Sequence, residues 1–178
     1  MTSIDSTVFL WLNATAGSPH WLPKLALFAS QRLPALLVAG TIGVSLVGGR
    51  EVRRDVLRIL LAMGLAWLVA RIGQHLLPMP RPFAVGLGTQ WLEHGNSAGF
   101  PSTHASVAFA FGAAVAACAR RWTIGLTALA LAILIAWSRV CLGLHFPSDV
   151  LAGAGVGILC AGAVNLFARR TAQVRPVY

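Results

Sequence analysis

Charge is what this sequence has least of. Only 11% of its 178 residues are Asp, Glu, Lys or Arg, against about 25% in a soluble domain. Acids are scarcer still, five Asp and Glu beside fourteen Lys and Arg. With 57% hydrophobic residues gathered in long runs, this excludes an ordinary soluble domain and points to a polytopic membrane protein. The length leaves room for one domain, residues 1–178. A formal charge of +9 would suggest nucleic acid in a soluble chain. Here the basic residues fall in short clusters between apolar runs. They read as topology determinants and lipid-headgroup contacts, so the expected partner is the bilayer and not nucleic acid. Nothing in the sequence sets an oligomeric state.

Cysteine is sparse as well. Cys118, Cys141 and Cys160 lie in or beside apolar runs without metal-like spacing and read as small buried hydrophobes. A cleavable signal peptide is not expected: Asp5 stands where a basic segment is needed, and no suitable apolar core follows.

What is present is a series of apolar runs. Ile4, Val8, Trp11 and Leu12 share one face of a helix over 3–13, too short to span and read as interfacial. Gly17, Ser18, Pro19 and Pro23 break the chain and close an interfacial segment over 1–23. Five spans are predicted: Lys24–Val47, Val56–Leu77, Pro101–Ala119, Thr123–Trp137, and a run from Pro147 to Ala168. The expected fold is therefore all-α, a polytopic membrane helix bundle of five transmembrane helices plus the short N-terminal interfacial helix. Residues 48–55 read as a charged loop, and 78–101 as a connection with a short interfacial helix near Gln90–Leu92. Gly153, Gly155 and Gly157 have helix-packing spacing. Residues 171–178 read as a tail.

Basic residues cluster at 50–58, 120–121 and 169–175. With five spans these ends share one side, which the positive-inside rule makes cytoplasmic. The N-terminus, the 78–104 connection and the stretch 138–149 then lie outside. That outer side gathers three polar clusters: Arg81-Pro82; Pro101-Ser102-Thr103-His104; and Ser138-Arg139-x5-His145-x3-Asp149. An Arg, a His and an Asp packed into eleven residues at a membrane boundary are costly, roughly 2.5–3.5 kcal/mol each if carried to a span's centre. They read either as interfacial anchors, with Arg139 snorkelling and Asp149 capping a helix start, or as a phosphate site.

In order and spacing these clusters resemble the three-part signature of the phosphatidic acid phosphatase type 2 superfamily: Lys-x6-Arg-Pro, Pro-Ser-Gly-His and Ser-Arg-x5-His-x3-Asp. The third matches fully. The second has Thr103 for Gly, and the first keeps Arg81-Pro82 with Gln74 in the Lys position. The resemblance implies a metal-independent phosphatase without cofactors. The paucity of carboxylates agrees, since they cannot cluster around Mg²⁺.

The residue chemistry fits that implication. Arg81 and Arg139 can bind phosphate oxygens bidentately and keep their charge. The free N–H groups at the start of the third span, with the Ser102 and Thr103 hydroxyls, can assist. His145 would attack phosphorus and form a phospho-histidine, Asp149 would hold the other ring nitrogen, and His104 would protonate the leaving oxygen and then activate water. Gln74 can donate a hydrogen bond but supplies no charge. Arg71, three residues earlier on nearly the same helix face, is the alternative cation. His75 and His94 read as spectators, and Glu93 as a solvated loop acid.

Within the family, the small size, short loops and stretch 138–149 look most like bacterial undecaprenyl-diphosphate phosphatases. That implies removal of the terminal phosphate of the isoprenoid diphosphate, in the inner membrane, on the outer face, with the C-terminus cytoplasmic. Other lipid phosphates (phosphatidylglycerophosphate, phosphatidate, lipid A, other polyprenyl phosphates) remain as substrates. So do a lipid phosphotransferase and a non-enzymatic membrane protein as rival classes.

Overall fold

The computed structural model describes residues 3–95 and 97–173. Among them every regular element is helical: α1 (Ser3–Leu12), α2 (Trp21–Gln31), α3 (Leu33–Val47), α4 (Arg50–Leu76), α5 (Thr103–Cys118), α6 (Trp122–Cys141) and α7 (Pro147–Gln173), with one 3-10 turn at Pro82–Val85. Of the predicted tail, residues 174–178 lie outside the described residues.

The five predicted spans are present as helical segments, but among the described residues three helices, or four spans counting one bent pair, are long and apolar enough to cross, and three further points differ. The first span is two helices, α2 and α3, bent by 42° and together apolar enough to cross. Pro34, at the start of α3, lacks the N–H that a continuous helix would need from it. The charged stretch 50–55 is the first turns of α4 and not a loop, because Arg and Glu are good helix formers and Gly48-Gly49 already supplies the break. The expected short helix at Gln90–Leu92 is absent. The turn lies at Pro82–Val85 instead, where Pro82 presets the backbone.

α4, α6 and Pro147–Thr171 of α7 are each long and apolar enough to cross a membrane. Their outer faces carry exposed Leu57, Leu61, Leu68 and Ile72 on α4, Ile133 on α6, and Leu151, Ile158 and Leu159 on α7. Hydrocarbon accepts such surfaces; water would not. α5 has 16 residues, about 24 Å at 1.5 Å per residue. That is short of the ~30 Å core, and α5 is enclosed by α4, α6 and α7.

Small residues let these helices close on α5. Ala62, Ala66, Ala110, Ala114, Ala128 and Ala161 are buried together with Phe111. A Cβ on Gly157 would stand 2.3 Å from Ser106 O on α5, so only glycine allows that approach, whereas Gly155 meets nothing.

Contacts fix how α4 to α7 run: Gln74 on α4 bonds Thr103 on α5, Ser102 before α5 bonds Asp149 on α7, and Arg81 bonds Leu144 just after α6. The end of α4, the start of α5, the end of α6 and the start of α7 therefore share one end of the bundle. At the other end Arg120 pairs with Glu51 at 3.2 Å, and Arg54 and Arg58 share a groove with Phe167 and Thr171. The described basic clusters thus meet at one end, opposite the three motifs.

Candidate active site

The site is assembled where four helix termini meet. Ser102 caps α5, its Oγ accepting from Ala105 N at 3.5 Å, which places Thr103 and His104 in the first turn. Ser102 N donates to Asp149 O at 2.9 Å and joins the start of α5 to that of α7. Ser102 is fully buried. Its hydroxyl thus serves the helix cap and does not line the cavity, contrary to the phosphate contact expected from sequence.

A polar cavity of about 240 Å³ is lined by Trp67, Arg71, Gln74, Arg81, His94, Ser97, Thr103, His104 and His145. It is smaller than the ~300–1,000 Å³ typical of pockets that enclose a drug-sized molecule, so it suits a headgroup. An apolar groove of about 310 Å³, walled by Pro34, Leu37, Val38, Met63, Phe111 and Ile135, shares Trp67, Thr103 and His104 with it. The bend between α2 and α3 places Pro34 and Leu37 along this groove.

Arg81 is buried at 4% exposure and fully engaged. Nε donates to Ser97 O at 2.9 Å, one terminal nitrogen to Leu144 O and His145 Nε2, both at 2.9 Å, and the other to Ser97 Oγ and Ala98 O. A guanidinium has only donors, so His145 Nε2 must present its lone pair. The ring proton then sits on Nδ1, which faces Asp149 Oδ2 at 3.4 Å. That carboxylate oxygen also accepts from Phe146 N at 2.9 Å. Burial first, then the charges of Arg81, Arg139 and His94, hold the His145 imidazole well below its ordinary value of 6.5. Burial likewise lowers Arg81, and Asp149 pulls it back.

Arg139, at 2% exposure, lies in the last turn of α6, is not among the residues that line this cavity, and donates to Ser30 Oγ. Its Nε is buried without a partner among the described residues, an arrangement that costs about 1–3 kcal/mol unless something accepts from it. His94, read from sequence as a spectator, lines the cavity, and burial followed by the Arg81 charge lowers it. Glu93 lies in a separate shallow hollow, and His75 is not in the cavity wall. Gln74 and Arg71 are both in the wall and bonded to each other at 3.2 Å.

Several supporting residues were invisible in the sequence. Asn13 donates to Thr89 O and Cys141 O and accepts from Thr89 N at 2.7 Å. Trp91 donates to Ala14 O at 2.7 Å. Asp5 accepts from the Ser148 amide and hydroxyl. Phe9, fully buried, meets Phe146 with ring centroids 5.5 Å apart. Together these pin α1 and loop 87–92 onto the turn carrying His145. The predicted α1 face leaves Ile4 and Trp11 outward instead. Asn13, Ser30 and Ser97 make contacts across long sequence gaps that no local pattern announces. Among the described residues, no group of three or more His, Cys, Asp or Glu converges as a metal site would.

Residues 55–172 match the PAP2 superfamily. Over 159 residues the chain is 33% identical to the Escherichia coli (strain K12) protein named "Putative undecaprenyl-diphosphatase YbjG", covering 89% of this chain and 80% of that one. Two crystal structures share the fold. The Aquifex aeolicus LpxE structure aligns with a TM-score of 0.75 at 23% identity, over 92% of this chain and 96% of that one. The first transmembrane PAP2 type phosphatidylglycerolphosphate phosphatase from Bacillus subtilis aligns with a TM-score of 0.73 at 20% identity, over 97% and 88%.

Proposed function

The chain belongs to the PAP2 superfamily, and from that premise we propose a metal-independent lipid phosphatase, one domain over residues 1–178, that removes the terminal phosphate of undecaprenyl diphosphate through a phospho-histidine. The observation that carries this reading is the row Arg81–His145–Asp149, of which Arg81 and His145 line a headgroup-sized cavity.

The row supplies a neutral nucleophile with its lone pair already directed at a cation. A phosphoryl group entering the cavity replaces His145 Nε2 as the partner of Arg81, freeing that nitrogen to attack phosphorus in line. The P–O bond to the leaving lipid phosphate breaks as the N–P bond forms, and His104 gives its proton to the leaving oxygen. The His145 ring becomes cationic, and Asp149 stabilises it from the Nδ1 side. In the second step His104 takes a proton from water, which attacks phosphorus and releases inorganic phosphate and free His145. Arg81 carries the charge on the equatorial oxygens from the cavity wall, and Arg139, whose charge is felt at His145, adds its field from beyond that wall.

The lipid assignment is supported by continuity between the cavity and the apolar groove, and by the name carried by the 33% identical relative. The product would be the monophosphate carrier used in cell-wall synthesis. By the positive-inside rule the end bearing Glu51 and Arg120 is cytoplasmic, which puts the cavity on the outer face of a bacterial plasma membrane.

The test is phosphate release in detergent from a panel of isoprenoid diphosphates and other lipid phosphates, with wild type beside His145→Ala and His104→Ala. Release from undecaprenyl diphosphate that both substitutions abolish, unaffected by EDTA, is expected. Preference for another lipid phosphate overturns the substrate, transfer to an alcohol acceptor overturns hydrolysis, and full activity of either variant overturns the site.

A further inference from the structure

Where the end of α4 meets the start of α5, Gln74 is buried in the seam with its amide fully committed. Nε2 donates to Pro101 O and to Thr103 Oγ1, both at 3.0 Å, and Oε1 accepts from Arg71 at 3.2 Å. An amide has two N–H donors, so none is left for a bound anion. What Gln74 can present to the cavity is a carbonyl lone pair, which an anion avoids.

Its two side-chain partners are placed differently. Arg71 is exposed, lines the cavity and pairs with no carboxylate among the described residues. One of its five N–H donors is spent on Gln74, and the others are available. Thr103 Oγ1 already accepts from Gln74, so its own O–H is free to donate, and this hydroxyl also lines the cavity. A long arginine on a helix surface normally samples many rotamers. Here the Gln74 carbonyl holds one of them before any ligand arrives.

We propose that Arg71 and Thr103 form a phosphate-binding pair at the α4–α5 edge of the cavity, and that Gln74 is not a phosphate ligand but the positioning residue that orients both. This rests on the cavity being the phosphate site proposed above. It explains how the chain works with Gln74 and Thr103 at the two positions where its motifs depart from the family signature. The two departures touch each other, and the missing charge is supplied one turn earlier on α4.

The experiment measures orthovanadate binding to the purified full chain in detergent by calorimetry, together with kcat and KM for phosphate release from a lipid diphosphate. Arg71→Gln and Thr103→Val should each weaken vanadate about tenfold and raise KM, with kcat changed by no more than about threefold. Arg71→Lys should recover part of the loss. Gln74→Ala should weaken vanadate similarly, and adding Arg71→Gln to it should cost no more than about twofold further, because the Arg is already untethered. Should Gln74→Ala fail to fold, the exposed Arg71 variants and Thr103→Ser, which restores the hydroxyl, carry the test.

Wild-type vanadate affinity in Arg71→Gln overturns the pair. Fully multiplicative losses in Gln74→Ala with Arg71→Gln overturn the positioning role. Vanadate binding that depends on Arg71, in a protein that releases phosphate from no lipid, leaves the pair standing and overturns the phosphatase reading instead. Phosphate release from lipid whose KM is unchanged in Arg71→Gln, with vanadate affinity also unchanged, does the reverse.

Discussion

A buried imidazole with a guanidinium on one nitrogen and a carboxylate near the other has its tautomer set by its neighbours, and its stability consequences follow. The folded-state value of His145 lies well below 6.5, chiefly through burial, while the unfolded chain titrates near 6.5. Below that pH the unfolded state therefore binds the extra proton, and folding loses stability as the medium is acidified. Above it the contribution is fully present. His94 is shifted in the same direction. The unfolding midpoint in detergent should fall as the pH is lowered from 7.5 to 5.5, and His145→Asn should flatten that slope; an unchanged slope would mean that His145 binds its proton as readily in the folded chain as in the unfolded one. At this scale the sequence was informative about His145 and Asp149, whose four-residue interval is one local turn, while Arg81 reaches His145 across 64 residues and only the order of the motifs suggested that meeting. It misassigned Ser102, since a serine opening a helix looks the same whether it caps the backbone or binds an anion. It could not show Ser30 or Ser97, whose partners lie 109 and 16 residues away.

Helices position these groups through two devices. The first is close approach between α5 and α7. Gly157→Ala would drive a methyl group into backbone atoms of α5 and should cost about 1–3 kcal/mol. Gly155→Ala meets open space and should be neutral or slightly stabilising through helix propensity. Thermal unfolding of the two variants side by side checks the contrast that their identical spacing conceals. The second device is α1. Asn13→Ala leaves the Thr89 amide and carbonyl unpaired, while Cys141 O keeps Ala14 N, and should cost about 2–3 kcal/mol. It should also lower kcat, because the turn carrying His145 loses its brace. A variant with normal turnover would show that loop 87–92 is dispensable for that turn. The apolar pattern over 3–13 suggested an interfacial helix but could not show that Phe9, on its other side, is the residue that docks.

For the whole molecule, the alternating directions of α4 to α7 separate a basic end from the end that gathers the three motifs. Alkaline phosphatase fused after Gly95 should be active, and fused after Arg121 inactive; the opposite pattern would turn the site to the cytoplasm. Composition and run lengths were enough to determine a helical membrane bundle, because a bilayer admits few structures that satisfy every backbone group. Motif order and spacing were enough to place the chain in the PAP2 superfamily, and the interval of four residues was enough to set His145 beside Asp149. Tertiary structure decided the rest: the bend between α2 and α3 that opens the groove, the enclosure of α5, the placement of His94 in the cavity, and the commitment of Gln74 to Arg71, Thr103 and Pro101. Each depends on surfaces from distant segments meeting at short range, and contact across such gaps is set by side-chain packing and not by local sequence pattern.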